Sequence, residues 1–172
     1  MDNDIIGAGS RWIPEEKYEF IRASVPIVCV DVLLSPHGDP KRIGLIRRAT
    51  YNGGFGWCLI GGAVLRNEPL FDAVNRHVQA TLVGKMTIVR STMHLGTVIE
   101  YFSEQGLGDF YDPRKHAVAL TYAAACEFDG KPEATGEAID FRWFSIDDLP
   151  GIDFGFGQGE AVSRLLKSEG GL

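Results

Sequence analysis

The chain has 172 residues and a formal net charge of −6, from 17 Lys and Arg against 23 Asp and Glu. This charge argues against non-specific nucleic-acid binding, because such binding needs a surplus of cations to displace counterions from phosphates. It leaves room for a small anionic ligand, which needs only a few local cations. The hydrophobic content of 45% is that of an ordinary soluble domain, and the length is sufficient to bury one core.

The first residues, 1–11, include Asp, Asn, Gly and Ser, and we expect them to form a flexible lead-in to one domain over residues 12–172. They contain no long apolar run, so we expect neither a signal peptide nor a membrane anchor. Cys29, Cys58 and Cys126 lie inside apolar segments, which favours reduced, buried thiols. These features predict a cytoplasmic protein with no membrane partner.

Helices are predicted where apolar residues recur at helical spacing, and Pro14 and Pro69 stand at the start of the first two. The predicted helices cover residues 15–23, 69–82 and 158–167. Continuous or β-branched apolar runs predict strands, the first of which has the character of a central strand with both faces covered. The predicted strands cover residues 25–34, 42–48, 63–65, 86–91, 93–102, 116–128 and 139–144, with a Gly-rich loop at 51–56 and a polar loop at 103–115. This order predicts an α+β domain, an α/β/α sandwich around a mixed β-sheet.

A glycine, a glutamate and an arginine recur at a defined spacing where a strand leads into the second helix. Gly62 is followed by Glu68 after five residues and by Arg76 after seven more. This pattern resembles the Nudix box, and the sequence Trp-Cys-Leu-Ile-Gly-Gly at residues 57–62 resembles the segment that precedes it. The resemblance implies a Nudix fold. It also implies structural roles for Gly62, Glu68 and Arg76, with a salt bridge between Glu68 and Arg76 tying the loop to the helix.

Three positions on one side of the second helix decide the metal chemistry. Residues three and four apart share a helix face, so positions 77, 80 and 81 lie together. Carboxylates there would bind Mg²⁺, which prefers charged oxygen ligands. The chain has His77, Ala80 and Thr81 instead. We therefore expect no Mg²⁺ at the usual site, and the sequence predicts no other metal site or cofactor.

The similarity extends beyond the box. Residues 12–31 resemble the opening of the GDP-mannose mannosyl hydrolase branch of the Nudix family, and Phe141-Arg142-Trp143 resembles its late Tyr-Arg-Trp strand. That branch releases a nucleoside diphosphate by cleavage at the sugar's anomeric carbon, and it pairs through its N-terminal region. The resemblance implies a phosphate-containing small-molecule ligand and a homodimer. Where the branch has its catalytic histidine and the preceding glutamine, this chain has Ala138 and Glu137.

Substitute catalytic residues are predicted from position. Glu137 and Asp140 are the carboxylates nearest to the missing base, and both have solvated surface residues as their alternative. His116 begins the long strand after the polar loop, and its alternative is an ordinary strand-end residue. These three are the predicted catalytic residues.

Substrate contacts are predicted at Asp31, Arg48, Trp57 and Gly62. Arg48 follows from the resemblance and from the two-pronged fit of guanidinium to phosphate. Asp31 interrupts an apolar strand, where a carboxylate must be paired or functional. A structural ion pair and a substrate contact both remain open for it. A Phe-Gly-Phe-Gly run at residues 154–157 either packs in the core or stacks on a base or sugar.

The sequence thus favours a divergent Nudix-type hydrolase of a nucleotide sugar or a related nucleoside diphosphate compound. Two alternatives remain open at this point. One is a binding protein that retains the pocket without catalysis, and the other is an accessory role within a dimer.

Overall fold

The computed structural model describes residues 13–169, so the predicted lead-in at residues 1–11 lies outside the described residues. Within this range the helices are α1 (Glu15–Ser24), α2 (Leu70–Thr81) and α3 (Gln158–Glu169). The strands are β1 (Ile27–Pro36), β2 (Arg42–Ala49), β3 (Phe55–Cys58), β4 (Ile60–Ala63), β5 (Leu82–Ile88), β6 (His94–Phe102), β7 (Phe110–Tyr111), β8 (Ala117–Ala134) and β9 (Ala138–Ser145). None of the helices in the described range is both long and apolar enough to cross a bilayer.

The centre of the mixed sheet is β1, which pairs in parallel with β8 and antiparallel with β2 and β4. The order through the sheet is β3-β2-β1-β8-β6-β7, with β5 against β8 and β9 against β2. Val30, Val32 and Leu34 of β1 are buried beneath α2, and Leu33 is buried on the opposite face with α3. The predicted central strand with two covered faces is therefore confirmed, as is the mixed α+β sandwich.

The helices cover the two faces through the residues that the sequence periodicity indicates. Val74 and Val78 of α2 are fully buried in the cluster on one face. Ala161 and Leu165 of α3 are buried on the other face. Leu70, which the pattern also assigns to the apolar stripe, is the first residue of α2 and is 37% exposed.

Several predicted boundaries are wrong. The strand expected at residues 63–65 is β4, three residues earlier, and β3 begins inside the segment predicted as a Gly-rich loop. A short strand, β7, forms within the predicted loop at residues 103–115 by pairing with β6. These strands are glycine-rich or very short, so their pairing depends on partners distant in sequence rather than on local pattern.

Glycine in β4 has a specific packing reason. Gly61 lies opposite Asp31, and a Cβ on Gly61 would approach the carbonyl oxygen of Val30 to 2.2 Å and the Asp31 carboxylate to 2.1 Å. Any side chain at this position would therefore displace β1 or its carboxylate. The Gly61-Gly62 pair allows β4 to lie directly beside the acidic residue of the central strand.

Candidate functional site

A polar cavity opens where β1, β4 and the start of β8 meet the segment before β8 and the loop before α3. Acidic and basic side chains line it together with two thiols and two aromatic rings. The lining residues that carry chemistry are Cys29, Asp31, Arg48, Cys58, Tyr101, Asp112, Arg114, Lys115, Phe156 and Gln158. Two of the four predicted substrate contacts, Asp31 and Arg48, are among them, and Gly62 also lines the cavity.

Asp31 is the buried acid of the cavity. Asp31 is 9% exposed, and burial raises the pKa of its carboxyl from 3.8 to about 6. The positive charges of Lys115 and Arg48 act in the opposite direction and lower this pKa, but burial outweighs them. The missing side chain at Gly61 provides the room for this carboxylate. A carboxyl group with such a pKa exchanges a proton close to neutral pH, which an exposed aspartate does not.

Arg48, on β2, also lines the cavity. Its Nη2 donates to the Glu137 carboxylate at 2.5 Å, and its guanidinium lies 5.5 Å from the centre of the Phe156 ring. Its Nε is buried and has no hydrogen-bond partner among the described residues. A buried N–H without an acceptor is costly, so this atom favours an anionic or carbonyl oxygen beside it.

Two further cations come from the segment before β8. Arg114 donates through Nε and Nη2 to Asp112 at 2.8 and 2.7 Å, and it lies 4.7 Å from the centre of the same Phe156 ring. Burial alone would raise the pKa of Asp112, but the hydrogen bonds from Arg114 outweigh it, so the pKa of Asp112 is lowered. Lys115 Nζ lies 3.4 Å from the Cys29 sulfur, inside the cavity.

The loop before α3 supplies an aromatic wall. Phe156 has a φ of 55°, a left-handed conformation that is rare for a bulky residue. Its ring contacts both guanidiniums and lies 5.8 Å from that of Tyr51. Strained backbone of this kind persists where surrounding contacts fix it, and it occurs often at functional sites.

The predicted catalytic residues are placed differently from one another. Glu137 is beside the cavity through its ion pair with Arg48, although its side chain is 63% exposed. Asp140 instead accepts from Arg142 at 2.8 Å on the outer side of β9. His116 is stacked on Phe102 at 4.8 Å, outside the residues that line the cavity.

Trp57 also lies away from the cavity. Its ring packs edge-on against Phe144 at 4.8 Å and carries the guanidinium of Arg142 at 5.4 Å. On a strand, neighbouring side chains point to opposite faces, so Cys58 lines the cavity while Trp57 joins the cluster on the far side. The structure therefore brings together Asp31, Arg48, Gly62 and Glu137, and it separates them from Trp57, His116 and Asp140.

The charged cavity residues that sequence reasoning missed are Asp112, Arg114 and Lys115. All three lie in the segment predicted as a polar loop. The signal that could have found them is an acid and two bases within four residues, immediately before a long buried strand. Loops that a rigid scaffold positions often carry binding and catalytic residues.

The box residues form the loop–helix connection. Glu68 accepts two hydrogen bonds from Arg76, at 2.7 and 2.8 Å, and a third from the Leu65 backbone N–H at 2.9 Å. Arg76 also donates to the Ala63 carbonyl at 2.9 Å. These contacts join β4, the loop and α2, which is an architectural role.

His77 occupies the space beneath Gly62. A Cβ on Gly62 would lie 2.5 Å from the imidazole, whose Nε2 is 3.1 Å from the Ala63 carbonyl. Burial lowers the pKa of His77, which favours the neutral ring. In the described range, residues 13–169, no group of three or more His, Cys, Asp and Glu side chains is arranged to hold a metal ion. The donors at positions 77, 80 and 81 do not fit Mg²⁺, so no chemical step is assigned to a metal here.

The sheet, the two covering helices and the Glu68–Arg76 connection define a Nudix-superfamily protein, and solved structures share this fold. A Jonesia denitrificans protein named as a possible asymmetric diadenosine tetraphosphate hydrolase aligns with a TM-score of 0.72 and 28% identity, over 86% of this chain and 96% of that one. The NUDIX domain of Shewanella oneidensis NrtR, complexed with ADP ribose, aligns with a TM-score of 0.63 and 18% identity, over 90% and 98%. The chain belongs to the family described as "Domain of unknown function (DUF4916)", whose model matches residues 8–165.

The chain is similar to two further proteins. A MutT NUDIX hydrolase from Burkholderia pseudomallei aligns with a TM-score of 0.62 and 26% identity, over 81% of this chain and 98% of that one. The low-salt glycan biosynthesis protein Agl8 of Haloferax volcanii is 31% identical over 117 residues, which are 68% of this chain and 70% of that protein.

Proposed function

We propose that this protein is a divergent Nudix-type hydrolase of a nucleotide sugar or a related compound with a nucleoside diphosphate linkage. The observation that carries the proposal is the convergence of Arg48, Arg114 and Lys115 on the cavity that also holds the buried Asp31. Cations within one cavity suit the adjacent negative charges of a diphosphate. The similarity to a glycan biosynthesis protein supports a sugar-linked substrate.

Arg48 is the proposed primary phosphate ligand. Its buried Nε has no acceptor among the described residues, and a phosphate oxygen would satisfy it. Arg114 and Lys115 would add charge from the other wall. As the leaving diphosphate gains negative charge, these cations would stabilise it without a metal ion.

Asp31 is the proposed general base. The cavity raises its pKa to about 6, so near neutral pH it is ionised yet retains a useful affinity for the proton of an attacking water. Glu137 would act as a positioning residue, because its carboxylate holds the Arg48 guanidinium at 2.5 Å. Pairing through the N-terminal region, as a homodimer, is part of the same proposal.

A second function, ligand binding without turnover, is favoured by one specific observation. The positive charges of Lys115 and Arg48 favour the ionised form of Asp31. A carboxylate that only forms a structural ion pair has the same kind of environment. In that case the protein would bind the same diphosphate ligand as a sensor or accessory component.

The test measures binding and turnover separately. Calorimetric titration with inorganic pyrophosphate, nucleoside diphosphates and nucleotide sugars, with and without Mg²⁺, is compared between wild type and Arg48→Ala. We expect wild type to bind without added metal and Arg48→Ala to lose at least tenfold in affinity. The matched control is Arg42→Ala, because Arg42 lies on the same strand, outside the cavity lining, with its guanidinium over Trp143. Absence of phosphate binding by wild type, or an equal loss in Arg42→Ala, would refute the proposal.

Release of nucleoside diphosphate from a nucleotide sugar distinguishes the two functions. Turnover that is lost in Asp31→Asn with binding retained supports the hydrolase. Tight binding with no product over long incubation supports the binding protein.

A further inference from the structure

A second pocket adjoins the cavity and shares the Phe156 ring with it. It lies between the β2–β3 loop and the segment that precedes α3, and its wall includes Tyr51, Asn52, Phe55 and Asp153. Phe156 lines both pockets, so a ligand seated among the cations has this second pocket as its immediate neighbour.

The second pocket offers aromatic surface that the core does not use. Tyr51 is 42% exposed and Phe55 is 48% exposed. The Tyr51 ring lies 5.8 Å from that of Phe156 with planes inclined at 54°, and it meets the Tyr111 ring at 5.8 Å with planes at 84°, so neither neighbour stacks flat on the tyrosine. Exposed aromatic rings beside a phosphate site suit a flat, π-bearing group.

Both walls are held in place before any ligand arrives. In the β2–β3 loop, the Thr50 N–H donates to the Gly54 carbonyl at 2.9 Å, and the Gly54 N–H donates to the Asn52 side chain at 3.3 Å. The opposite wall is fixed by backbone hydrogen bonds between Trp57 and its neighbours at 153 and 155, of 2.9 and 3.0 Å. A pocket formed in advance loses little entropy when a rigid ligand enters.

Polar groups accompany the rings. The Asn52 side-chain oxygen is occupied within the loop by Thr50 and Gly54, which turns its amide donors to other partners. Asp153, an exposed residue, lines the same pocket and adds an acidic residue. Donor and acceptor groups around an aromatic surface match the hydrogen-bonding edge of a nucleobase.

From this arrangement we infer that the second pocket is the nucleobase subsite, with Tyr51 and Phe55 as its stacking residues and Phe156 as the wall between base and diphosphate. The inference rests on the proposed function, because it assigns the base of the same ligand. It places the base on the β2–β3 loop side of Phe156 and the phosphates on the Arg48 side.

The test compares ligands with and without a base. Dissociation constants are measured for inorganic pyrophosphate, ADP, GDP, UDP and CDP against wild type, Tyr51→Ala and Phe55→Ala. We expect at least one nucleoside diphosphate to bind about tenfold more tightly than pyrophosphate, since base stacking contributes on that scale. In the variants this advantage should disappear while pyrophosphate affinity changes by less than about twofold. The matched control is Phe20→Ala, because Phe20 is an aromatic residue 74% exposed on α1.

The outcomes separate this inference from the proposed function. If wild type binds pyrophosphate and every nucleoside diphosphate equally, the base subsite is refuted and the phosphate site stands. An equal loss of both ligand types in Tyr51→Ala and Phe55→Ala would likewise refute the subsite. If wild type binds neither pyrophosphate nor any nucleoside diphosphate, the proposed function and the subsite are both refuted. Saturation-transfer NMR on wild type gives an independent measurement, in which base protons should receive transfer at least as strongly as ribose protons.

Discussion

Glu68 and Arg76 form a two-pronged ion pair in which one glutamate, 2% exposed at its side chain, accepts from both Nε and Nη2 of the arginine. The same glutamate accepts the Leu65 backbone N–H, so the carboxylate connects the loop after β4 to α2. The Glu68 carboxylate therefore accepts three hydrogen bonds and has almost no contact with solvent. Its removal would take away the acceptor that the Arg76 guanidinium and the Leu65 N–H share.

We predict that Glu68→Ala or Arg76→Ala lowers the free energy of unfolding by about 3 kcal/mol, the scale for breaking a buried pair. Urea unfolding monitored by circular dichroism measures this change. The control is Glu160→Ala, which removes a carboxylate 55% exposed from an i,i+4 pair with Arg164 and should cost under about 1 kcal/mol. A wild-type melting temperature in both box variants would contradict the structural role.

The same pair predicts a pH dependence of stability. Hydrogen bonds from Arg76 lower the pKa of Glu68 from 4.5 to about 2. Because the folded pKa lies below the unfolded one, the stabilisation is complete above about pH 4.5 and is lost as the pH falls towards 2. The stability difference between wild type and Glu68→Gln should therefore shrink between pH 6 and pH 3. A difference that is constant over this range would show that the charge of Glu68 is not the source.

Sequence reasoning predicted the fold better than the cavity, for a physical reason. The central strand and α2 are long, and their apolar residues repeat with the period of each element, so local pattern and tertiary burial agree. Strands β3, β4 and β7 have two to four residues each, and they form because β2, β1 and β6 offer edges to them. The sequence of a two-residue segment such as β7 does not indicate which distant strand it pairs with.

The candidate site shows the same division. Asp31 was detectable because a carboxylate inside an apolar strand is unusual, and Arg48 because of the family resemblance. Arg114 and Lys115 were missed because their segment has the composition of a solvated loop. Only the structure shows that the Arg114 side chain packs on Phe156 and that the Lys115 side chain lies beside Cys29. Trp57 is predicted as a substrate contact, but the alternation of a strand points it away from the cavity that its neighbour Cys58 lines.

Gly62 and His77 should be energetically coupled. A Cβ at position 62 would lie 2.5 Å from the imidazole, so Gly62→Ala forces the ring to move and should cost about 1–3 kcal/mol. Adding His77→Ala removes the clash, so the double variant should be more stable than Gly62→Ala alone. Thermal unfolding of wild type, the two single variants and the double variant measures this coupling.

Gly151→Ala is the matched control, since a Cβ there has no neighbour within 4 Å. Additive effects of the two changes would show that the imidazole is not what requires glycine at position 62.

The buried Asp31 should make the protein less stable, rather than more stable, as the pH rises through its titration. Burial raises the pKa of this carboxyl from 3.8 to about 6, so between these values the folded chain binds more protons than the unfolded chain. Stability from this group is therefore present at low pH and is lost as the pH rises to about 6. Asp31→Asn retains the shape without the ionisation, so it should exceed wild type in stability by roughly 1–3 kcal/mol at pH 7.5 and match it near pH 4. Urea unfolding at the two pH values measures the difference.

The matched control is Asp140→Asn, whose carboxylate is 35% exposed and bound to Arg142 outside the cavity. If Asp31→Asn is less stable than wild type at pH 7.5, the carboxylate gains more from Lys115 and Arg48 than burial costs it, and a purely structural ion pair becomes the better description of Asp31.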